Sequence, residues 1–315
     1  MTVSIGRRNA LGAVVTTTSG DTRAIAVFLP FIENTLQEMH EPIADNGARG
    51  VRDLHGEQSI EGKKWGEGNV KVVLEPEQAP ILFAACLGTS TIVSTNGLYT
   101  HTFTRKSTNE ITSLDLWMDR ITDQVDFPFA GIDQLDLEFG DDVASINVAV
   151  VSQYPVNRPN TTTPVYLDTE SPPLYSFKNA GIQLGTSGAN STTLALRLCS
   201  INLKNNLERI YAPNDNDVDR IVSKSFEASG SLTMPLEVST YKTAFSNLTK
   251  YSLAILFNYG STTGQIVIYF PRIRIQGYKQ NRPIDDISDE TIEFIAETAN
   301  YPMSVQVKNE QDNYI

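Results

Sequence analysis

The sequence predicts a mainly β chain of two tandem units, each a β-sandwich or barrel with a short flanking α-helix. Three observations carry this. First, residues 68–74 alternate, with Val70, Val72 and Leu74 on one side and Asn69, Lys71 and Val73 on the other. A period of two is that of a half-buried strand. Second, the same plan recurs at a fixed spacing: Gly230 lies 162 positions after Gly68, and Leu232, Met234, Leu236, Glu237 and Phe245 follow Val70, Val72, Leu74, Glu75 and Phe83. A spacing kept through a strand and a helix is the mark of an internal repeat. Third, short alternating runs separated by turn residues fill the rest of each half, the pattern of a sandwich or barrel.

The first strand feeds Pro80 and seven uncharged residues, Ile81 to Leu87, before Gly88. Proline at a first helical position needs no N–H partner, and glycine suits the left-handed turn that ends a helix. This helix is apolar all round and should be buried. In the second half Ser239 is placed to cap a helix, with Tyr241, Ala244, Phe245 and Leu248 on one face. Four strand-like runs follow each helix. They are 99–103, 113–119, 134–139 and 145–151, then 252–257, 264–270, 272–276 and 291–296.

These marks divide the chain. Residues 1–24 read as a polar N-terminal arm, 25–152 as unit 1, 177–300 as unit 2 and 301–315 as a C-terminal arm. The segment 153–176 carries Pro155, Pro159, Pro164, Pro172 and Pro173 with a threonine run, and reads as an extended linker. Within unit 1 a long aperiodic loop spans residues 39–64; its counterpart, about residues 210–219, is shorter. Such a loop inside a compact domain is either disordered or functional.

Composition narrows the function. The chain has 315 residues, 25 Lys+Arg against 37 Asp+Glu, and a formal net charge of −12. Residues 1–160 hold 21 acidic and 12 basic side chains, residues 161–315 hold 16 and 13, so the two halves are not interchangeable. Such a charge does not grip a phosphate backbone; a nucleic acid would pass rather than stay. Cys86 and Cys199 are too few for a disulfide framework and read as core residues. The N-terminal apolar run is too short for a signal peptide and no window approaches a membrane span. His40, His55 and His101 lack metal-ligand spacing, and His101 shares a strand face with Tyr99 and Phe103. No GxSxG elbow occurs, Gly66-Glu-Gly68 is in the wrong order for a dinucleotide loop, and Asp141-Asp142 and Asp285-Asp286 sit beside turns. No cofactor, metal or catalytic group is expected. One pattern stands out: Asp115, Asp119, Asp136 and Glu138, with Trp117 between, oppose the apolar faces of two strands and would form an acidic sheet face.

An N-terminal arm, the loop Gly47-Ala-Arg-Gly50, Ile60-Glu-Gly62, the strand–helix block 68–87, Tyr99-Thr-His-Thr-Phe103 and Asp136-Leu-Glu-Phe139 come in that order. This order, with the duplication, resembles the tail tube (major tail) proteins of tailed bacteriophages over most of residues 25–300. The resemblance implies units joined edge to edge into rings of six. Their inner sheets form a continuous barrel, and stacked rings form the channel for the genome. Two units per chain would make each ring a trimer that looks six-fold. Asp115, Asp119, Asp136 and Glu138 would face the lumen. The 39–64 loop, with Asn46, Gly47, Arg49, Arg52 and His55, would stack rings. The partners implied are further copies of the chain, the tape measure, terminator and baseplate proteins, and DNA passing without specific binding. The place implied is the virion tail, assembled in the host cytoplasm. A tail terminator, baseplate hub or secretion-tube protein of the same fold remains open, as does a carbohydrate-binding or carbohydrate-cleaving β-sandwich.

Overall fold

The structure, a computed structural model, describes residues 9–16, 27–44, 59–120, 123–140, 142–158, 174–186, 192–236, 240–258, 264–284, 287–312 and 314. The strands are β1 (Ala10–Thr16), β2 (Val27–Leu29), β3 (Phe31–Asn34), β4 (Gln37–Ala44), β5 (Ser59–Val73), β6 (Gly88–Thr95), β7 (Leu98–Arg105), β8 (Ser113–Asp119), β9 (Gln124–Phe139), β10 (Ser145–Ser152) and β11 (Val156–Asn157). Then come β12 (Ala180–Thr186), β13 (Thr192–Leu194), β14 (Leu198–Lys204), β15 (Leu207–Tyr211), β16 (Val218–Ser223), β17 (Glu227–Pro235), β18 (Lys250–Asn258), β19 (Gln265–Asn281), β20 (Asp289–Ala296) and β21 (Ser304–Asn309). Two α-helices are described, α1 (Pro80–Leu87) and α2 (Thr240–Ser246), with one short 3-10 turn at Phe177–Asn179.

Every residue of α1 is buried, Pro80 opens it, and Gly88 closes it at φ 87 with its N–H on Ala84 O. The left-handed turn there needs a residue without Cβ. In α2 only Ala244 is buried; Phe245 and Leu248 are 36% and 60% exposed. The apolar stripe expected to bury that helix lies partly on the surface: Phe245 is exposed within the helix, and Leu248 lies past its end at φ 52.

Eight antiparallel pairings recur in the same order. β1 with β2 and β8 matches β12 with β13 and β18. β8–β9–β10–β5 matches β18–β19–β20–β17. The hairpins and edges match too: β3 on β5 and β14 on β17, β4 on β5 and β15 on β16, β11 on β9 and β21 on β19. The β6–β7 hairpin has no counterpart among the described residues and lays β7 against β21.

Two long strands organise both sets. β9 and β19 each carry a Phe-Pro pair, Phe127-Pro128 and Phe270-Pro271, beside a break in register with the preceding strand. Proline cannot donate to a ladder, so it belongs at such an irregularity, where a strand can bend from one sheet into another. The runs 264–270 and 272–276, expected as two strands, are therefore one. Before the proline each strand pairs with β8 or β18; two to three residues after it the pairing with β10 or β20 begins, while Ala130, Ile273 and Arg274 still face β8 or β18.

The second halves build one long sheet through both sets, in the order β3/β4–β5–β10–β9–β14–β17–β20–β19. Its core-facing row runs Val72, Ile146, Leu137, Ile201, Gly230, Phe294, and the apolar side chains of that row belong to a single core with Leu11, Leu116, Ile255 and Ile81 to Leu87 of α1. Gly68 and Gly230 both mark close approaches of backbone. A methyl group at Gly68 would sit 2.5 Å from Thr35 O, and one at Gly230 would press as hard on Ser200 O.

Three expected boundaries move. β1 was expected in a polar arm, yet all seven of its residues are buried between β2 and β8. The C-terminal arm contains β21, which bridges β19 and β7, and buried Tyr314. In the 39–64 segment, expected as a loop, the described residues 39–44 and 59–64 are strand: β4 runs along the first half of β5.

Candidate functional site

The surface of the long sheet opposite the core is polar. One row reads Lys71, Asn147, Asp136, Asn202, Ser229; the next reads Ser145, Glu138, Ser200, Ser231, Glu293. Two of the four expected acidic residues, Asp136 and Glu138, lie here. Asp136 accepts from Gln134 Nε2 and Asn202 Nδ2, and Glu293 pairs with Lys279. Lys279 pairs with Glu293, Lys71 stands opposite Glu33 and Lys204 opposite Glu227, so the face is hydroxyl- and amide-rich with mixed charge rather than acidic.

Asp115 and Asp119 are elsewhere. β8 is buried on both sides, with Leu114, Leu116 and Met118 in the main core and Trp117 packed edge-on against Phe28 at 6.2 Å. Asp115 is 7% exposed, next to Thr16, and accepts the N–H of Phe129 at 3.0 Å. Phe129 follows the proline of β9 at φ 50, so Asp115 satisfies a donor freed by the bend. Asp119 is half-buried at the end of β8 and receives Gln124 Nε2 at 3.3 Å. The alternation placed these two opposite the leucines but could not reveal that Thr16, Phe28 and Arg158 pack on that side.

Asp126, next to the same bend, is 2% exposed and ion-paired with Arg158. Burial pushes its carboxyl up from 3.8 to about 6, against the pull of Arg158, and nearby Asp115 adds to the rise. Burial also raises the Cys86 thiol to about 12, which removes it as a nucleophile. His101 is fully buried, stacked on Phe103, with Nε2 2.7 Å from Gln311 O; burial lowers its pKa. Among the described residues no group of three or more His, Cys, Asp or Glu converges as a metal site, and no helix is long and apolar enough to cross a membrane.

Sequence reasoning missed the seam. β9 of the first set pairs with β14 of the second from Cys199–Phe139 to Lys204–Gln134, so the long sheet crosses between the sets without a break. Asn205 locks it: its N–H donates to Asp133 O at 2.7 Å, and its Nδ2 donates to Ile132 O at 2.9 Å and to Cys86 O at 3.0 Å, at the last turn of α1. Backbone pairing leaves no trace in composition; the repeated Phe-Pro pair was the available signal. The two ends of the long sheet are open among the described residues. β3 and β4 pair only with β5, and β19 beyond residue 275 pairs only with β20. The hairpin of β4 and β5 also exposes a cross-strand apolar pair, Ile43 and Ile60, at 55% and 63%. Asn46, Gly47, Arg49, Arg52 and His55 lie beyond that pair, outside the described residues.

A β protein with a continuous sheet, two open edges and one polar face has the form of an assembly subunit, since open edges are templates for further pairing. The chain belongs to the phage tail tube protein family, whose family model matches residues 6–303. It is a structural subunit of a phage tail tube, and so a component of the virion tail that assembles with itself and with other tail proteins. The tail tube of SPP1, solved by solid-state NMR and cryo-EM, aligns over 58% of this chain and 79% of that one, at 10% identity and a TM-score of 0.25, which adds nothing to the family assignment. Compared by sequence with curated proteins, the chain has no match.

Proposed function

We propose that three copies of this chain close each ring of the tube, that both strand sets of every copy are tube units, and that the polar face of the long sheet lines the channel. The observation that carries this reading is the β9–β14 seam, which already makes one edge-to-edge joint within the chain. Each set contributes four strands to the long sheet, counting β3 and β4 as one. Six units then give twenty-four strands, and at about 4.8 Å per strand and about 40° of tilt the backbone barrel is about 50 Å across. Three units would give about 25 Å, which side chains on both walls reduce below what a duplex needs. Six chains with both units in the wall would double the barrel to about 100 Å.

A face of serine, asparagine and balanced charges suits a channel that DNA crosses. Affinity for a duplex grows with each phosphate a Lys or Arg neutralises, and this face has few cations without a carboxylate neighbour. The protein acts as a scaffold with no chemistry of its own. Rings stack through the β4–β5 hairpin, where Ile43 and Ile60 offer apolar surface. A cryo-EM reconstruction of tubes without imposed symmetry tests the reading. Three chains per ring, with two kinds of joint alternating, is expected; six chains with the second strand set outside the wall overturns it.

A further inference from the structure

The receiving edge of the long sheet is closed by its own side chains. Thr35 and Gln37 direct their backbone groups to β5, with Thr35 N–H on Asn69 O, so those of Leu36 point to the open side. There the Leu36 N–H donates to Asn34 Oδ1 at 2.8 Å, and its C=O accepts from Arg120 Nη2 at 2.5 Å.

The internal seam contains the same position in its joined state. Gly68 and Gly230 are equivalent, and each packs beneath the step that leads into its partner, Thr35–Leu36 in one case and Ser200–Ile201 in the other. Leu36 therefore corresponds to Ile201, which faces Leu137 of β9. Asn205, four residues on, donates to Asp133 O, which fixes Ile201 as one of the residues bonded across the seam. The two capping residues are replaced there. By register Cys199 stands where Asn34 does, and Phe257, in the core, where Arg120 does. Neither reaches a backbone group as an amide or guanidinium would. The caps exist at the open edge and not at the joined one.

The strand that would arrive is also defined. Pro271 matches Pro128, and five residues after each the pairing skips one residue, Gln276 in β19 and Asp133 in β9. Leu137 thus corresponds to Gln280. We propose that Asn34 and Arg120 latch this edge in the free subunit and yield it to residues 277–282 of the next copy, with Leu36 pairing with Gln280. Charge agrees: Lys279 and Arg282 arrive beside Glu33 and Glu38. Arg120, once released, keeps its ion pair with Asp123, 3.6 Å away. Edge strands are commonly guarded against wrong pairing, and a guard made of two polar side chains can be displaced without unfolding anything. The inference rests on the three-chain ring proposed above.

Two measurements separate the latch from the ring. Arg120→Ala and, independently, Asn34→Ala are followed by light scattering during tube assembly, with circular dichroism to confirm folding. A hydrogen bond involving a charged group is at stake, so nucleation should quicken about tenfold in Arg120→Ala and less in Asn34→Ala. Separately, Gln37→Cys with Lys279→Cys places thiols where Asn202 and Asp136 meet in the seam, a pair without backbone hydrogen bonds and close enough for a disulfide. Oxidised tubes should yield covalent closed trimers. Trimers together with unchanged or slower nucleation in both alanine variants overturn the latch and leave the ring standing. Absence of cross-linking with six chains per ring overturns the ring, and the latch with it.

Discussion

Asn205 is the residue whose loss the seam should feel most. Its side chain donates both amide protons, to Ile132 O at 2.9 Å and to Cys86 O at 3.0 Å, and it is 8% exposed. Cys86 lies in the last turn of α1, where carbonyls have no intrahelical partner, so Asn205 satisfies an acceptor that the helix cannot. Asn205→Ala strands both carbonyls away from water. At about 1–3 kcal/mol for each unsatisfied buried group, the loss should be about 2–6 kcal/mol. Asn205→Asp should be worse at neutral pH, because a carboxylate replaces two donors opposite two carbonyl oxygens. It should recover in part as pH falls, since a protonated carboxyl donates one hydrogen bond. Urea unfolding of unassembled subunits, followed by Trp65 and Trp117 fluorescence, measures this. A loss below about 0.5 kcal/mol in Asn205→Ala, or Asn205→Asp as stable as the parent at pH 8, would refute the reasoning, since surface changes alone stay within that range.

The Asp126 carboxyl binds its proton more tightly folded than unfolded, so stability should fall as pH rises from about 4 to about 6 and then level. Asp126→Asn should flatten that slope in pH-dependent urea melts. Gly230→Ala should destabilise by about 2 kcal/mol or more, because its methyl meets Ser200 O and the Phe294 ring, whereas Gly181→Ala, with nothing within 4 Å, should be near neutral in thermal melts. Ile43→Asp with Ile60→Asp should leave a folded, soluble subunit that forms no tubes in negative stain; normal tubes would remove the hairpin from ring stacking. Asp136→Lys with Glu138→Lys should leave tubes intact and slow genome ejection, and unchanged ejection kinetics would put this face outside the channel.

Local chemistry was legible in the sequence. The alternation at residues 70–74, the proline before and the glycine after the seven apolar residues 81–87 gave the strand and α1, because each rests on a neighbour in sequence. β1 was not legible. Ala10 to Thr16 is short, nearly all apolar and buried on both sides, so it shows no period of two. The acidic face failed for a related reason. Alternation says which residues share a side of a strand, not whether a third element covers that side, and Asp115 and Trp117 are covered. The seam, the two open edges and the capping of Leu36 are facts of long-range backbone pairing, which single-residue chemistry does not encode. Only the matched Phe127-Pro128 and Phe270-Pro271, each beside a register break, carried them in the sequence, and only once their strands were seen to bend alike.

If three chains close a ring, three of its six joints are made before any two chains meet. The seam joins its units at the effective concentration of a folded chain, supported by Asn205 and by β7 on β21. The joint between chains lacks the second support, because among the described residues the β6–β7 hairpin occurs in the first strand set alone. The weaker joint is thus the one that must form by collision, and it is the one whose receiving strand is capped. A subunit built this way folds with its permanent joint complete and stays separate until a partner strand displaces Asn34 and Arg120. Assembly would then be set by nucleation at a growing tail rather than by folding. An exposed, uncapped edge of the same length would pair with any strand available, including the edges of unfinished copies.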